Sequence, residues 1–240
     1  MSDVAMTVPV VYSLAAQYPD LRITVLSSPY ARAFFDELAP NVGFMAADLK
    51  GEYHGMKGLN ALYRRLLAKN FTAIADFHSV LRSGYLRMRF NLDRFRVAHI
   101  DKHHAGRRDL MSRHIMVQQP STFQNYADVL AQLGYPVRLN FISLFPERGG
   151  DLRLLPPKIG MKKAFQTWIG IAPFAQYRGK AYPVEQMEKV MQGLMHLHPS
   201  CRVFLFGGGG EENTLMQAWE RQYSCCVNAS GTIGSLRGEL

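Results

Sequence analysis

Along the first half of the chain, short runs rich in β-branched residues alternate with stretches whose apolar positions recur three and four apart. Such a succession marks parallel strands joined by crossover helices. A cap at Ser2 or Asp3 predicts a helix to about Tyr18, then a strand at 23–26 and a helix at 31–38. Strands are expected at 42–46 and 73–76, with a helix at 59–67 between them. A basic helix at 80–90, a strand at 95–100, a His/Arg-rich loop and a helix at 123–133 complete this half.

The stretch 136–163 is rich in Pro, Gly and charge and reads as a connection, dividing the chain into domains 1–155 and 156–240. Beyond it the pattern restarts with a strand at 168–172, a helix at 184–197, a strand at 202–206, four glycines and another helix. In the helix from Val184, the residues Met187, Val190, Met191, Leu194 and Leu197 mark one face for burial. The class is α/β. A doubly wound domain normally opens on a strand, yet here a helix starts almost at residue 1, and the segment 231–240 enters a further helix after few strands. Both ends therefore look cut.

Hydrophobic residues make up 48% of the 240 and charged ones 20%, an ordinary folded composition. The formal net charge of +9 draws anionic partners such as phosphate, nucleic acid or acidic lipid, or serves solubility alone. Three cysteines, Cys201, Cys225 and the adjacent Cys226, suit a reducing cytosol better than a disulfide framework. No apolar run reaches the roughly 20 residues that span a bilayer, so the expected location is cytoplasmic, with peripheral contact at the inner face of the membrane left open.

Several residues could carry chemistry. Asp3 stands where a strand-to-helix turn would face a cleft, as a general base toward a sugar hydroxyl or simply as a helix cap. The run F-A-Q-Y-R-G-K-A-Y-P at 174–183 follows a strand and precedes a helix, so Arg178 and Lys180 could hold diphosphate or be plain exposed cations. Glycines 207–210 would let backbone approach a ligand, and Glu211 beside them suits ribose hydroxyls or the helix dipole. That run is neither G-x-G-x-x-G nor a P-loop, which argues against a hydride-transfer cofactor or an NTPase.

Arg82, Arg87, Arg89, Arg94, Arg96, Lys102, Arg107, Arg108 and Arg113 face only Asp93, Asp101 and Asp109 in one stretch, which could grip an anionic acceptor, lie against acidic headgroups or be a solvated face. His99, His103 and His104 lack a partner set such as H-E-x-x-H, so no metal is expected, and the absence of Asp-x-Asp disfavours a metal-held nucleotide-sugar. No aromatic-studded RNA signature occurs, which makes nucleic acid the weaker partner.

S-D-V-A-M-T-V-P-V-V-Y-S-L-A at the start resembles the G-D-V-x-x-T-x-P-x-L-x-x-L segment of the ADP-heptose:lipopolysaccharide heptosyltransferases, glycosyltransferase family nine. A-D-F-H-S-V-L-R-S at 75–83, I-G-I-A-P-F-A with G-K-A-Y-P, and N-A-S-G-T-I-G-S-L-R from Asn228 resemble further segments of that family, in order along almost the whole chain. The resemblance implies a GT-B architecture, two Rossmann-like domains facing a cleft, and metal-independent inverting transfer from a nucleotide-sugar to an anionic glycolipid, with no other cofactor. It implies Asp3 as base and Lys180 on the diphosphate. Donor contacts are expected from Pro173, Arg178, Gly207, Gly208 and Glu211, with Glu211 on the ribose, and acceptor contacts from His78, Arg82, Arg107 and Arg108. The chain departs from the pattern at Ser2, where the family has glycine, and stops before a D-T-G-x-x-H segment, so weak nucleotide binding and little turnover are expected.

Overall fold

The computed structural model describes residues 2–145, 149–150, 152–231 and 233. The chain divides into two compact units, Met1–Gly149 and Gly150–Leu240. Leu155, assigned by sequence to the first domain, packs with Ile159, Phe204 and Val227 of the second unit, which moves the division ahead of it.

The first unit opens with α1 (Ser2–Ala5) and α2 (Val8–Gln17), where the sequence suggested one helix. Pro9 explains the break, because its missing N–H and fixed φ fit the first turn of a helix and not its interior. At the break the Thr7 hydroxyl donates to the Val4 carbonyl at 2.7 Å. Strand β1 (Ile23–Ser27) pairs in parallel with β2 (Val42–Ala46). The segment between them is a 3-10 turn, Pro29–Phe34, in place of the expected helix, and Glu37 at φ 60° turns the backbone away from helical geometry.

Helix α3 (Gly55–Leu67) buries Leu59, Leu62, Tyr63 and Leu66 along one side. Strand β3 (Ala73–Asp76), α4 (Leu81–Leu92) and β4 (Arg96–His99) follow, and β3 and β4 pair in parallel with Asp76 opposite His99. Helix α5 (His104–Met111) occupies the expected His/Arg-rich loop; it buries no residue, so it has no apolar rhythm to read. Helix α6 (Thr122–Gln132) is capped by Ser121, whose hydroxyl accepts the Gln124 N–H at 3.2 Å. Val10 and Leu14 of α2 meet Tyr126, Val129 and Leu130 of α6 over β4.

The second unit contains β5 (Trp168–Ile171), α7 (Val184–Leu197), β6 (Arg202–Leu205), α8 (Glu211–Gln222) and β7 (Cys226–Asn228). Its three strands form one parallel sheet in the order β5-β6-β7. Met191, Val203, Leu205, Met216 and Trp219 make its core. On α7 the buried face is narrower than its apolar spacing implied. Met187 and Leu194 pack beside Met191, whereas Val190 and Leu197 lie on its flank, Leu197 at 71% exposure.

Candidate active site

Ligands of parallel α/β sheets bind outside the carboxyl ends of the strands. In the first unit that edge is organised by Asp76, the last residue of β3, which is buried. One carboxylate oxygen accepts the N–H groups of His78 and Ser79, both at 2.9 Å, and the other faces the Arg87 Nε of α4 at 3.5 Å. Arg87 also donates to the Ser79 hydroxyl at 3.2 Å. The loop 77–80 is thereby pinned from both sides, with Ser79 at φ 46° and His78 exposed.

The next residue, Phe77, packs on Tyr126 of α6 with ring centroids 4.9 Å apart. The Tyr126 hydroxyl donates to the Asp3 carbonyl at 3.4 Å. Burial first, and the Asp3 charge second, push the Tyr126 pKa above its ordinary value. Tyr126 thus ties α1 to the loop after β3, and an exposed Asp3 stands with Phe77 and Tyr126 at this edge. Arg82 is exposed in the first turn of α4, and Arg107 and Arg108 are exposed on α5. Among the described residues, no hydrogen bond or ion pair joins these arginines to His78 or to one another.

In the second unit the carboxyl edges of β5, β6 and β7 carry three loops. After β5, Pro173 is buried and Phe174 stacks on Trp219, with centroids 5.9 Å apart and planes 2° from parallel. The 3-10 turn Arg178–Lys180 follows, closed by the Lys180 N–H donating to the Tyr177 carbonyl at 2.8 Å. The exposed Lys180 ammonium lies 5.5 Å from the centre of the Tyr177 ring, a cation–π distance. The Arg178 side chain lies outside what is described.

The glycines after β6 divide by role. A Cβ on Gly207 would come within 2.8 Å of Met216 and 3.1 Å of Phe174, so this glycine allows close packing under α8. The Gly208 N–H is already taken, donating to the Glu212 carboxylate at 2.7 Å. Gly209 and Gly210 face open space, and Gly210, at φ 65°, needs to be glycine. Glu211 opens α8 and is exposed. The loop after β7 is bound to this one, because the Ser230 hydroxyl donates to the Gly207 carbonyl at 2.9 Å and the buried Asn228 side chain accepts the Ser230 N–H at 3.0 Å. Of the N-A-S-G-T-I-G-S-L-R segment, residues 232 and 234–237 lie outside the described residues.

No protein-family model matches the chain, and no curated protein does. Solved structures do match. A family 9 glycosyl transferase from Veillonella parvula superposes with a TM-score of 0.66 at 18% identity, over 97% of this chain and 68% of that one. The E. coli heptosyltransferase WaaC with ADP-2-deoxy-2-fluoro heptose gives 0.63 at 17% identity, over 99% of this chain and 75% of that one. E. coli ADP-heptose lps heptosyltransferase II gives 0.58 at 19% identity, over 95% and 69%. The chain has the GT-B glycosyltransferase fold.

Within this GT-B fold, sequence reasoning named His78 and passed over Asp76 and Tyr126, which hold the loop and Asp3. An acidic residue closing an apolar strand was the available signal for Asp76; nothing local marks Tyr126, whose partners lie far along the chain. Among the described residues, no three His, Cys, Asp or Glu side chains converge as a metal site. No described helix is long and apolar enough to cross a membrane.

Proposed function

We propose that the chain is an inverting glycosyltransferase that moves a sugar, heptose from ADP-heptose, onto an anionic lipopolysaccharide-core acceptor at the cytoplasmic face of the membrane. The observation that carries this reading is the shared fold with a heptosyltransferase whose structures hold ADP and ADP-2-deoxy-2-fluoro heptose. In the reaction, Asp3 takes the proton of the acceptor hydroxyl as its oxygen bonds to the anomeric carbon. The bond from that carbon to the diphosphate oxygen breaks on the opposite side, and ADP leaves. Lys180, on its short turn after β5, meets the charge growing on the diphosphate. Glu211 and the open Gly209–Gly210 backbone receive the nucleoside, while His78, Arg82, Arg107 and Arg108 receive the acceptor's negative groups.

The test is titration of the purified chain with ADP, UDP, GDP and their sugars, followed by transfer assays. ADP-heptose should bind best, and Lys180→Ala should weaken ADP by about tenfold and slow transfer by about 10²- to 10³-fold, the loss typical of removing one group that stabilises developing charge. Asp3→Asn should leave donor affinity unchanged and abolish transfer. Equal binding of all three nucleotides, or transfer by the Asn variant, would remove the mechanism.

A second reading is favoured by Glu212, whose carboxylate occupies the Gly208 N–H in a loop that would otherwise offer itself to phosphate. In it the chain is a noncatalytic relative that holds a polyanion through its arginines. Steep loss of binding with salt and no preference among nucleotides would identify it.

A further inference from the structure

The proposed chemistry gives no part to the sulfur atoms of the second unit. They gather at the amino ends of β6 and β7, the opposite end of the sheet from the loops assigned to the donor. Successive side chains of a strand point to opposite faces. Cys225 and Cys226 are nonetheless buried in one core, because Cys225 belongs to the turn that the Cys226 N–H closes on the Tyr223 carbonyl at 2.9 Å. Their sulfurs lie 3.9 Å apart, and the Cys226 sulfur lies 3.5 Å from that of Met191 on α7. Cys201 shares the core, but its thiol is turned to the Leu194 carbonyl at 3.8 Å. All three cysteines are free thiols.

Cysteines that serve packing alone are sealed from solvent and inert. These are not sealed: a groove of about 440 Å³, lined by Cys201, Cys225, Met195, Pro199, Lys163 and Arg202, leads to them from the surface. Two thiols and a thioether in mutual contact suit few ions. Zn(II) sites are built from four donors, and among the described residues no three His, Cys, Asp or Glu side chains converge. Ca(II) and Mg(II) require oxygen ligands. Cu(I) is selected by thiolate and thioether sulfur and accepts a low coordination number. An ion of single charge bound by two thiolates leaves one negative charge, and Lys163 and Arg202 on the groove have the sign that offsets it.

We propose that Cys225, Cys226 and Met191 form a site for Cu(I), entered through this groove. Each of the two thiols releases its proton to water as its sulfur bonds to the ion, so Cu(I) and two thiols give a dithiolate complex and two protons with no change of oxidation state. Met191 adds its thioether and loses no proton. The site lies away from Lys180 and Glu211 and stands whether or not the chain transfers sugar.

Titration of the reduced full chain with Cu(I), in ascorbate and without oxygen, against the chelator bathocuproine disulfonate should show a single ion taken up per chain. X-ray absorption at the copper edge should show sulfur neighbours alone. Cys225→Ala and Cys226→Ala should each weaken the ion by at least about a hundredfold, since a lost ligand costs more than a lost outer partner. Met191→Leu should weaken it by about tenfold, and Cys201→Ala should stay within about twofold of the parent. Should an Ala variant melt early, the absorption spectrum of the parent chain decides the matter: nitrogen or oxygen neighbours, as surface histidines would give, overturn the proposal. Undiminished Cu(I) affinity in a folded Cys226→Ala chain overturns it too. So does a loss on Cys201→Ala as large as that on Cys226→Ala, which would mean a different ligand set, and so does Zn(II) that displaces Cu(I) at equal concentration.

Discussion

In the first unit, the carboxyl edge of β3 is held by a buried charge; in the second, the loops after β6 and β7 are held by packing and by hydrogen bonds of Asn228, Ser230 and Glu212. The strands differ in the same sense. Every residue of β7 and all but the first of β6 are buried, though β5 at the sheet's edge buries none, whereas in the first unit β1 buries none and β2, β3 and β4 one each. The first unit draws its buried apolar residues mainly from α2, α3 and α6 over two separate strand pairs. The same strand-end position is thus stabilised by two means: one sensitive to removal of a partner charge, the other to loss of volume.

Loss of volume should give the largest effect. Trp219 is 1% exposed, stacks on Phe174 and donates its indole N–H to Glu188 at 3.0 Å. Trp219→Ala should cost about 3–5 kcal/mol of the second unit's stability. Both tryptophans of the chain, Trp168 and Trp219, lie in that unit, so Trp168 fluorescence follows its unfolding in the variant. A denaturant midpoint close to the parent's would mean that this core is not what holds the second unit.

Loss of charge comes next. Asp76→Ala frees two loop N–H groups and strands Arg87, whose side chain is only 21% exposed. A cost of about 2–3 kcal/mol is expected, below the figure for a fully buried pair because water still reaches the guanidinium. Far-UV circular dichroism should show it while the tryptophan transition stays put. Asp76→Asn, which can still accept from His78 and Ser79, should recover part of the loss. If the tryptophan signal moved as far as the helical one, the contrast between the units would fail.

Much of this was legible in the residues. The strands Val42–Ala46 and Ala73–Asp76 and the helix Val184–Leu197 stand where the apolar rhythm puts them, because half-buried apolar positions such as Phe44, Ile74, Met187 and Leu194, beside one buried residue in each, are enough for a period to register. Where burial is absent, as in α5, rhythm has nothing to report. Pro9 was visible, yet the apolar positions on both sides of it read as one helix. At the site, through-space partners were the obstacle. That Met216 and Phe174 lie against Gly207 is invisible in the glycine run itself. The importance of Asp76 depends on Arg87, eleven residues on, whose side chain returns to the strand end. The fold-level reading agrees with the solved structures, while the roles of Asp3, Lys180 and Glu211 rest on the proposed chemistry.

The smallest effect concerns pH and separates the units without mutation of either loop. Cys226 is buried beside Cys225, its sulfur 3.9 Å from that neighbour's and 3.5 Å from the Met191 sulfur. Burial, and then the charge of Cys225, push its pKa from 9.0 up to about 12. The folded chain therefore keeps this proton after the unfolded chain has lost it. Its contribution is fully present below pH 9 and is lost as pH rises from there toward 12. In the first unit the raised acids are Tyr63 and Tyr126, which start from 10.0, so the same loss begins about one pH unit later. Between pH 9 and 10 the tryptophan-monitored stability should fall before the helical signal of the first unit does, and Cys226→Ala should remove part of that early fall, the buried Cys201 thiol, also pushed up from 9.0, keeping a share. A parallel decline of both signals, or an unchanged slope in the Ala variant, would show that this thiol does not set the alkaline limit of the second unit.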